Sequence, residues 1–290
     1  MTQVKAPGRV CGDTAGMQGN ALLASFPGSA TTRRPASAAA GASVFLPKEH
    51  GSWSLVLEPL ALGLLVAPSS AGGALTVAAL AGFFARRPFK ALFAPAATRR
   101  RAAEQAVLIF SILGIAGITV ALVLGGIAPL WPLLLAAPLA GLFAWFDAQN
   151  SSRAAAAEVA GSAAFAFVPS ALATLGGWSA GPALALAGLA LTRSVPTVLT
   201  VRSSLRQAKG ETGGFLLPVL AAVAAALGIT LLCVFRLLPS WTPLPAGVLL
   251  ARTLWFASPF RPSWPARKIG ILEALLGVIY LAAIATAYRG

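Results

Sequence analysis

The sequence predicts an all-α membrane protein, a bundle of about nine transmembrane helices with a cytoplasmic N-terminus. Three observations predict it. Of the 290 residues, 57% are hydrophobic and only 10% are Asp, Glu, Lys or Arg, with a mean hydropathy of +0.80. A soluble domain carries roughly 25% charged residues, so these charges are too few to cover a water-exposed surface and a soluble globular protein is excluded. The apolar residues run in blocks near the ~20 residues that cross a hydrocarbon layer. The basic residues collect on one side of those blocks, as the positive-inside rule requires.

Residues 1–45 differ from the rest, being rich in Ala, Gly, Ser, Thr and Pro with no spanning apolar run. They read as a disordered cytoplasmic tail or an over-extended translation start. Thr32-Arg33-Arg34-Pro35 is superficially like a twin-arginine export signal, but a weakly apolar stretch follows it, so that reading is discarded. Residues 46–290 form the transmembrane domain. Its helices are expected at 49–67, 71–87, 105–124, 129–146, 156–175, 181–201, 214–236, 243–257 and 269–288. The second and eighth are short, consistent with tilt or partial re-entry. The first two form a tight hairpin around Ala67-Pro68-Ser69-Ser70-Ala71-Gly72-Gly73. Pro59, Pro138, Pro169, Pro196 and Pro218 fall inside spans, where neighbouring helices satisfy the freed backbone groups. Small residues such as Gly161, Gly270 and Gly277 mark close helix packing.

Of the 22 Lys and Arg residues, all but Arg193, Arg236, Arg252 and Arg289 lie in the N-terminal tail or in loops on one side. That places the N-terminus and these loops in the cytoplasm, the C-terminus outside, and requires an odd number of spans in a plasma (inner) membrane. Trp131, Trp178 and Trp241 fit an aromatic belt on the outer side. The net charge of +14 is therefore an orientation signal, and nucleic acid is not an expected partner.

There are only 8 acidic residues, so each is informative. Asp13 lies in the tail, and Glu104 and Glu211 are expected in basic loops. Glu49, Glu58, Asp147, Glu158 and Glu273 fall at or inside cytoplasmic helix ends. An ionisable group below the interface costs roughly 2.5–3.5 kcal/mol on insertion scales, so it faces the bundle interior and has a partner. His50, Ser54 and Glu58 form one stripe at i, i+4, i+8. Glu58 lies about 12 Å along the axis from His50, too deep to snorkel. Arg193 lies about 13 Å deeper than Arg202, and Arg252 and Glu273 stand at similar depth. Ion pairs are expected between Glu58, Glu158 or Glu273 and Arg193, Arg252 or Arg86, in one layer bordering a cytoplasm-facing cavity. The plainer alternative is that these pairs only fix helix packing. Cys11 and Cys233, with the single His50, offer no disulfide framework and no metal spacing, so no metal site is expected and no cofactor is implied.

Pro47-Lys48-Glu49-His50-Gly51-Ser52-Trp53 resembles the first-helix signature of the YwiC-like family of bacterial membrane proteins. Arg86-Arg87-Pro88, the Arg153/Glu158 segment and the Arg193–Arg206 segment look like that family too. The resemblance runs from about Phe45 to the C-terminus and implies an integral membrane protein without implying an activity. Topologically the chain is also similar to UbiA-type prenyltransferases, which hold Mg²⁺ on Asp-rich loops. The stretch from Arg86 to Glu104 has no Asp, and the 6–7 loop has only Glu211.

Three functions follow as expectations. The first is an enzyme or binder for a lipid-linked or phosphorylated anion, with an anionic or isoprenoid lipid as partner within the bilayer. Lys48, Arg86, Arg87, Arg153, Arg193, Arg202, Arg206 and Arg252 would grip phosphate oxygens. His50, Glu49 and Glu58 would be its acid–base groups, with Asp147, Glu158 and Glu273 as ion-pair partners. The second is a small-solute or proton-coupled transporter. The third is a non-enzymatic membrane assembly partner whose charges only fix packing.

Overall fold

The computed structural model describes residues 50–93, 100–149, 151–152, 154–211, 214–261 and 264–289, with residues 50–52 described by their backbone alone. The expectations for residues 1–45, Lys48, Glu49, the His50 side chain and Arg153 lie outside the described residues. Among the described residues every regular element is helical. In order these are α1 (His50–Val66), α2 (Ser70–Leu92), α3 (Arg100–Gly125), a 3-10 turn (Ala128–Leu130), α4 (Pro132–Ala148), α5 (Ala155–Ala166), α6 (Val168–Leu175), α7 (Ala180–Ala208), α8 (Leu216–Val234), α9 (Pro243–Ala257) and α10 (Ala266–Ala287).

The apolar blocks of the sequence reappear, with differences at their ends. α2 continues to Leu92 and α7 to Ala208, so Arg86, Arg87, Lys90, Arg202 and Arg206 stand on helices rather than in loops. Glu104, expected in a loop, lies in the first turns of α3 and accepts a bond from Arg100 at 3.1 Å. The physical reason is that hydropathy marks where hydrocarbon ends, while the helical hydrogen-bond ladder continues as long as it satisfies the backbone. The fifth block is broken at Phe167 into α5 and α6. Pro169 has no N–H to close the ladder there. Gly63 of α1 lies against the break: a Cβ at Gly63 would lie 3.0 Å from Pro169 Cα and overlap Leu172 Cδ1. The α1/α2 hairpin closes as expected, with Ser69 Oγ accepting from Gly72 N at 3.0 Å as an N-cap.

Contacts at both ends show how the helices alternate. At one end Arg86 of α2 meets Asp147 of α4, and Arg202 of α7 meets Glu158 of α5. At the other, Thr174 Oγ1 of α6 donates to Pro129 O at 2.5 Å, and Trp178 packs on Tyr288.

Burial is distributed the opposite way from a water-soluble bundle. The most apolar helix, α3, has 11% of its apolar stretch buried, whereas the less apolar α7 has 67%. Ile115, Val123, Leu216 and Leu227 stand exposed. Apolar surface outside and polar groups inside is the arrangement that hydrocarbon solvent favours. Among the described residues, five helical stretches are long and apolar enough to cross a membrane: 100–125, 155–175, 180–208, 216–234 and 266–287. α7 is the hub, touching α1, α5, α6, α8, α9 and α10. Leu62, Leu186, Leu189, Leu249 and Ile284 fill the core around it.

α3 packs on α2 and on no other helix to a comparable extent. That contact needs close backbone approach, because a Cβ at Gly117 would lie 2.7 Å from Ala74 O and 2.9 Å from Ala78 N. Backbone cannot yield as a side-chain tip can. Gly117→Ala is expected to cost about 1–3 kcal/mol as overpacking, and to loosen α3 in particular. Gly82→Ala, where a Cβ meets nothing within 4 Å, is the matched control. Unfolding curves of the two variants, with cysteine accessibility along α3, check this.

Candidate functional site

Among the described residues, four charged side chains meet in the interior of the bundle. Glu58 comes from α1, Arg193 from α7, Arg252 from α9 and Glu273 from α10. Arg193 is 4% exposed, Arg252 6% and Glu273 6%. No single helix could bury such a group without a partner, and here each helix brings a partner for another.

Arg193 organises the cluster. Its Nη2 donates to Glu58 Oε1 at 3.2 Å, and its Nε lies 3.0 Å from Glu58 Oε2 as an ionic contact without making a hydrogen bond, so the guanidinium meets this carboxylate side-on. Nη1 donates to Glu273 Oε2 at 3.0 Å and to Thr197 Oγ1 at 2.6 Å. Nη2 also donates to the Glu273 carbonyl at 2.6 Å. Planar, multidentate donation of this kind is the reason arginine rather than lysine suits a buried carboxylate pair. Arg252 is held more loosely. Its Nη2 donates to the same Thr197 hydroxyl at 2.8 Å, and its Nη1 lies 3.3 Å from Glu273 Oε1 without making a hydrogen bond. Two cations face two carboxylates, so the cluster is formally neutral.

Two further features admit chemistry. Buried polar atoms remain without a hydrogen-bond partner: Arg252 Nε and Nη1, Glu273 Oε1 and Ser194 Oγ. Such atoms are uncommon in native interiors and mark places where water or a ligand binds. Ser54, Glu58, Pro59, Arg193, Ser194 and Tyr280 also line a cavity between α1, α7 and α10. Its volume is ≈ 20 Å³, room for about one water molecule. Tyr280 is fixed on its wall because its hydroxyl donates to Leu189 O at 2.9 Å.

The structure brings Glu58, Arg193, Arg252 and Glu273 together and, among the described residues, leaves Arg86, Asp147, Glu158, Arg202 and Arg206 elsewhere. Glu158 pairs with Arg202 at 3.0 Å, and Glu211 with Arg206 at 3.0 Å. Asp147 accepts from Arg86 at 2.5 Å and from Lys90 at 2.6 Å, and the Arg86 guanidinium stacks 4.6 Å over Phe143. The charges therefore occupy two levels rather than one layer, a deep cluster and a set of pairs at the helix ends. Arg86 and Glu158 belong to the second. The reason is side-chain reach: Arg202 lies nine residues from Arg193 on α7, about 13 Å along the axis, so its partner cannot also serve the deep cluster.

The end-level pairs are worth less than the deep one. Arg86 and Lys90 are about two-fifths exposed, so solvent screens them. Asp147→Asn is expected to lower stability by about 1 kcal/mol, and added salt should shrink the difference. Paired melting curves at low and high salt measure it.

Thr197, Ser194 and Tyr280 were not singled out from the sequence, and Gly277 was read only as a mark of close helix packing. Thr197 stands one turn after Arg193, a spacing that could have suggested a hydroxyl on the same face. Gly277 stands one turn after Glu273. A Cβ there would overlap Glu58 Oε1, and would lie 2.7 Å from Glu58 Cδ and 3.0 Å from Arg193 Nη2. Only a glycine lets the α1 carboxylate cross the α10 backbone to reach Arg193.

An inside-out helical bundle with a buried, paired charge cluster defines the class, a polytopic α-helical membrane protein. More particularly, residues 46–173 match the family model described as YwiC-like protein. The matched stretch contains Glu58, Arg86, Asp147 and Glu158, while Arg193, Arg252 and Glu273 lie beyond it. Comparison with curated proteins and with solved structures finds no match, and the likeness to prenyltransferase topology gains no support from these comparisons. Among the described residues, no group of three or more His, Cys, Asp and Glu is arranged to hold a metal ion.

Proposed function

We propose that this membrane protein binds a phosphorylated anion, free or lipid-linked, at the charge cluster beside the cavity between α1, α7 and α10, which must widen beyond its one-water volume to admit it, with Arg193 as the principal donor and Glu58 as the acid–base group. The observation that supports it most is the incomplete bonding of the cluster. Ser194 Oγ lines the cavity without a partner, and Arg252 behind it holds two unused donors. A phosphoryl group offers several acceptor oxygens and matches guanidinium forks. Arg86, Arg202 and Arg206 pair at the helix ends and line no part of this cavity, so we assign them to orientation and packing rather than to the ligand. In this reading the protein lies in the plasma (inner) membrane with its N-terminus and basic helix ends in the cytoplasm, following the positive-inside rule.

The test is ligand-induced stabilisation of the purified protein by inorganic phosphate and by prenyl and polyprenyl phosphates. At least one is expected to raise the melting temperature. Ser194→Ala, which removes one hydroxyl and no charge, is expected to weaken its binding roughly tenfold, the size of one hydrogen bond to a charged group. If no compound shifts melting at any concentration, the reading is wrong.

A further inference from the structure

We infer that the anion enters this cavity together with one proton, and that Glu58 carries the proton. This inference rests on the anion-binding reading above and adds the charge class of the ligand, a singly charged phosphoryl group.

The reasoning starts from charge balance. Arg193 and Arg252 are neutralised by Glu58 and Glu273. An additional anion would leave the buried cluster with a net negative charge, which a low-dielectric interior strongly disfavours. Adding a proton to the Glu58 carboxylate makes a neutral carboxylic acid and leaves one uncompensated positive charge. A singly charged anion then restores neutrality. The proton comes from the aqueous buffer, whose acid loses it as Glu58 O–H forms, and no other covalent bond forms or breaks. Once neutral, Glu58 is held less tightly and swings off the Nε–Nη2 edge of Arg193, and that edge with the space it leaves receives two anion oxygens. A doubly charged phosphate would need a second proton.

Geometry selects Glu58 over Glu273 as the proton carrier. Glu273 touches both arginines and also supplies its main-chain carbonyl to Arg193. Glu58 is paired with Arg193 alone, forms part of the cavity wall, and is twice as exposed, at 16% against 8% for the side chain. From α7 it faces Arg193, and from α10 Glu273 and Tyr280, with Arg252 of α9 behind them. α6 carries no ionisable residue, α5 contributes Glu158, already paired with Arg202, and α2 carries Arg86, Arg87 and Lys90 at its distant end. Protonation of Glu58 therefore changes the local balance by one whole charge.

The experiment uses the full chain in zwitterionic nanodiscs with two probes whose single negative charge does not titrate between pH 5.5 and 8. Dimethyl phosphate represents a free anion, and dodecyl methyl phosphate a lipid-linked one. Calorimetry in buffers of different ionisation enthalpy reads proton uptake directly. One proton taken up per anion bound is expected. Affinity should weaken about tenfold per pH unit on the alkaline side, the slope for one linked proton. Glu58→Gln should bind with an affinity independent of pH and with no uptake. The probe that binds more tightly identifies the source. Binding without proton uptake, or uptake that persists in Glu58→Gln, overturns the coupling and leaves the anion site standing. Failure of both probes to bind either protein at any pH overturns the anion site and the coupling with it. Uptake by the unmodified chain decides the matter even if Glu58→Gln does not fold.

Discussion

Gly277→Ala is expected to destabilise the protein by about 3 kcal/mol, although it adds one methyl group and removes no polar atom. The added Cβ falls on the Glu58 carboxylate, and the adjacent guanidinium of Arg193 lies only 3.0 Å away. Two responses are open. α10 can shift, at the roughly 1–3 kcal/mol of an overpacked core. Alternatively Glu58 can swing into the neighbouring cavity and abandon Arg193, which approaches the roughly 3–5 kcal/mol of breaking a buried pair. Helix propensity works in the opposite direction, favouring Ala over Gly by about 1 kcal/mol, so the net loss sits near the middle. Gly270→Ala on the same helix is the control, because a Cβ there meets nothing within 4 Å. It should be neutral or slightly stabilising. Reversible unfolding in mixed detergent gives both numbers. A cycle with Glu58→Ala should show strong coupling, since the methyl then has no carboxylate to displace. Equal stability of the two alanine variants would refute the steric account.

The second large effect is expected from Arg193→Gln. It removes every donor that holds Glu58 and most of those that hold Glu273, leaving two buried carboxylates with Arg252. Removing one partner of a buried pair costs roughly 3–5 kcal/mol because the other charge is stranded, and here two are affected. Arg252→Gln should cost distinctly less, since Arg252 makes only one hydrogen bond and one longer ionic contact. The order of the two is the informative result. Arg193→Gln combined with Glu58→Gln should recover part of the loss by removing one stranded charge. If Arg252→Gln proves the more damaging, the hub of the cluster has been misassigned.

The two charge levels show what a sequence can and cannot reveal about depth. Glu58, Arg193, Arg252 and Glu273 were identifiable because charge is expensive inside an apolar helix and each lies a turn or more from its helix end. Their pairing was not identifiable, since depth along one helix does not say which residue of another helix it meets, and Glu158 and Arg86, although nearer their predicted span ends, remained eligible partners. The helices in fact extend past those ends, so span limits misjudge the level of a side chain by more than a turn. The roles of Thr197 and Ser194 were hidden for a different reason. Hydroxyl groups inside helices commonly bond the preceding turn, as Thr192 does with Gly188 O at 2.9 Å. No sequence pattern distinguishes that habit from a hydroxyl shared between two arginines.

Composition and block length by themselves determined the apolar character of this protein's surroundings and its helical class. Those properties depend on local quantities, namely hydropathy, block length and the price of a charge in hydrocarbon. Tertiary structure alone decided which carboxylate meets which arginine, that Gly277 must lack a side chain, and that Ser194 faces a cavity. Each of these depends on distances between helices far apart in the chain, such as the 80 residues separating Arg193 from Glu273. Helical periodicity places a residue on a face of its own helix, and only the packing of α1, α7, α9 and α10 determines what that face meets.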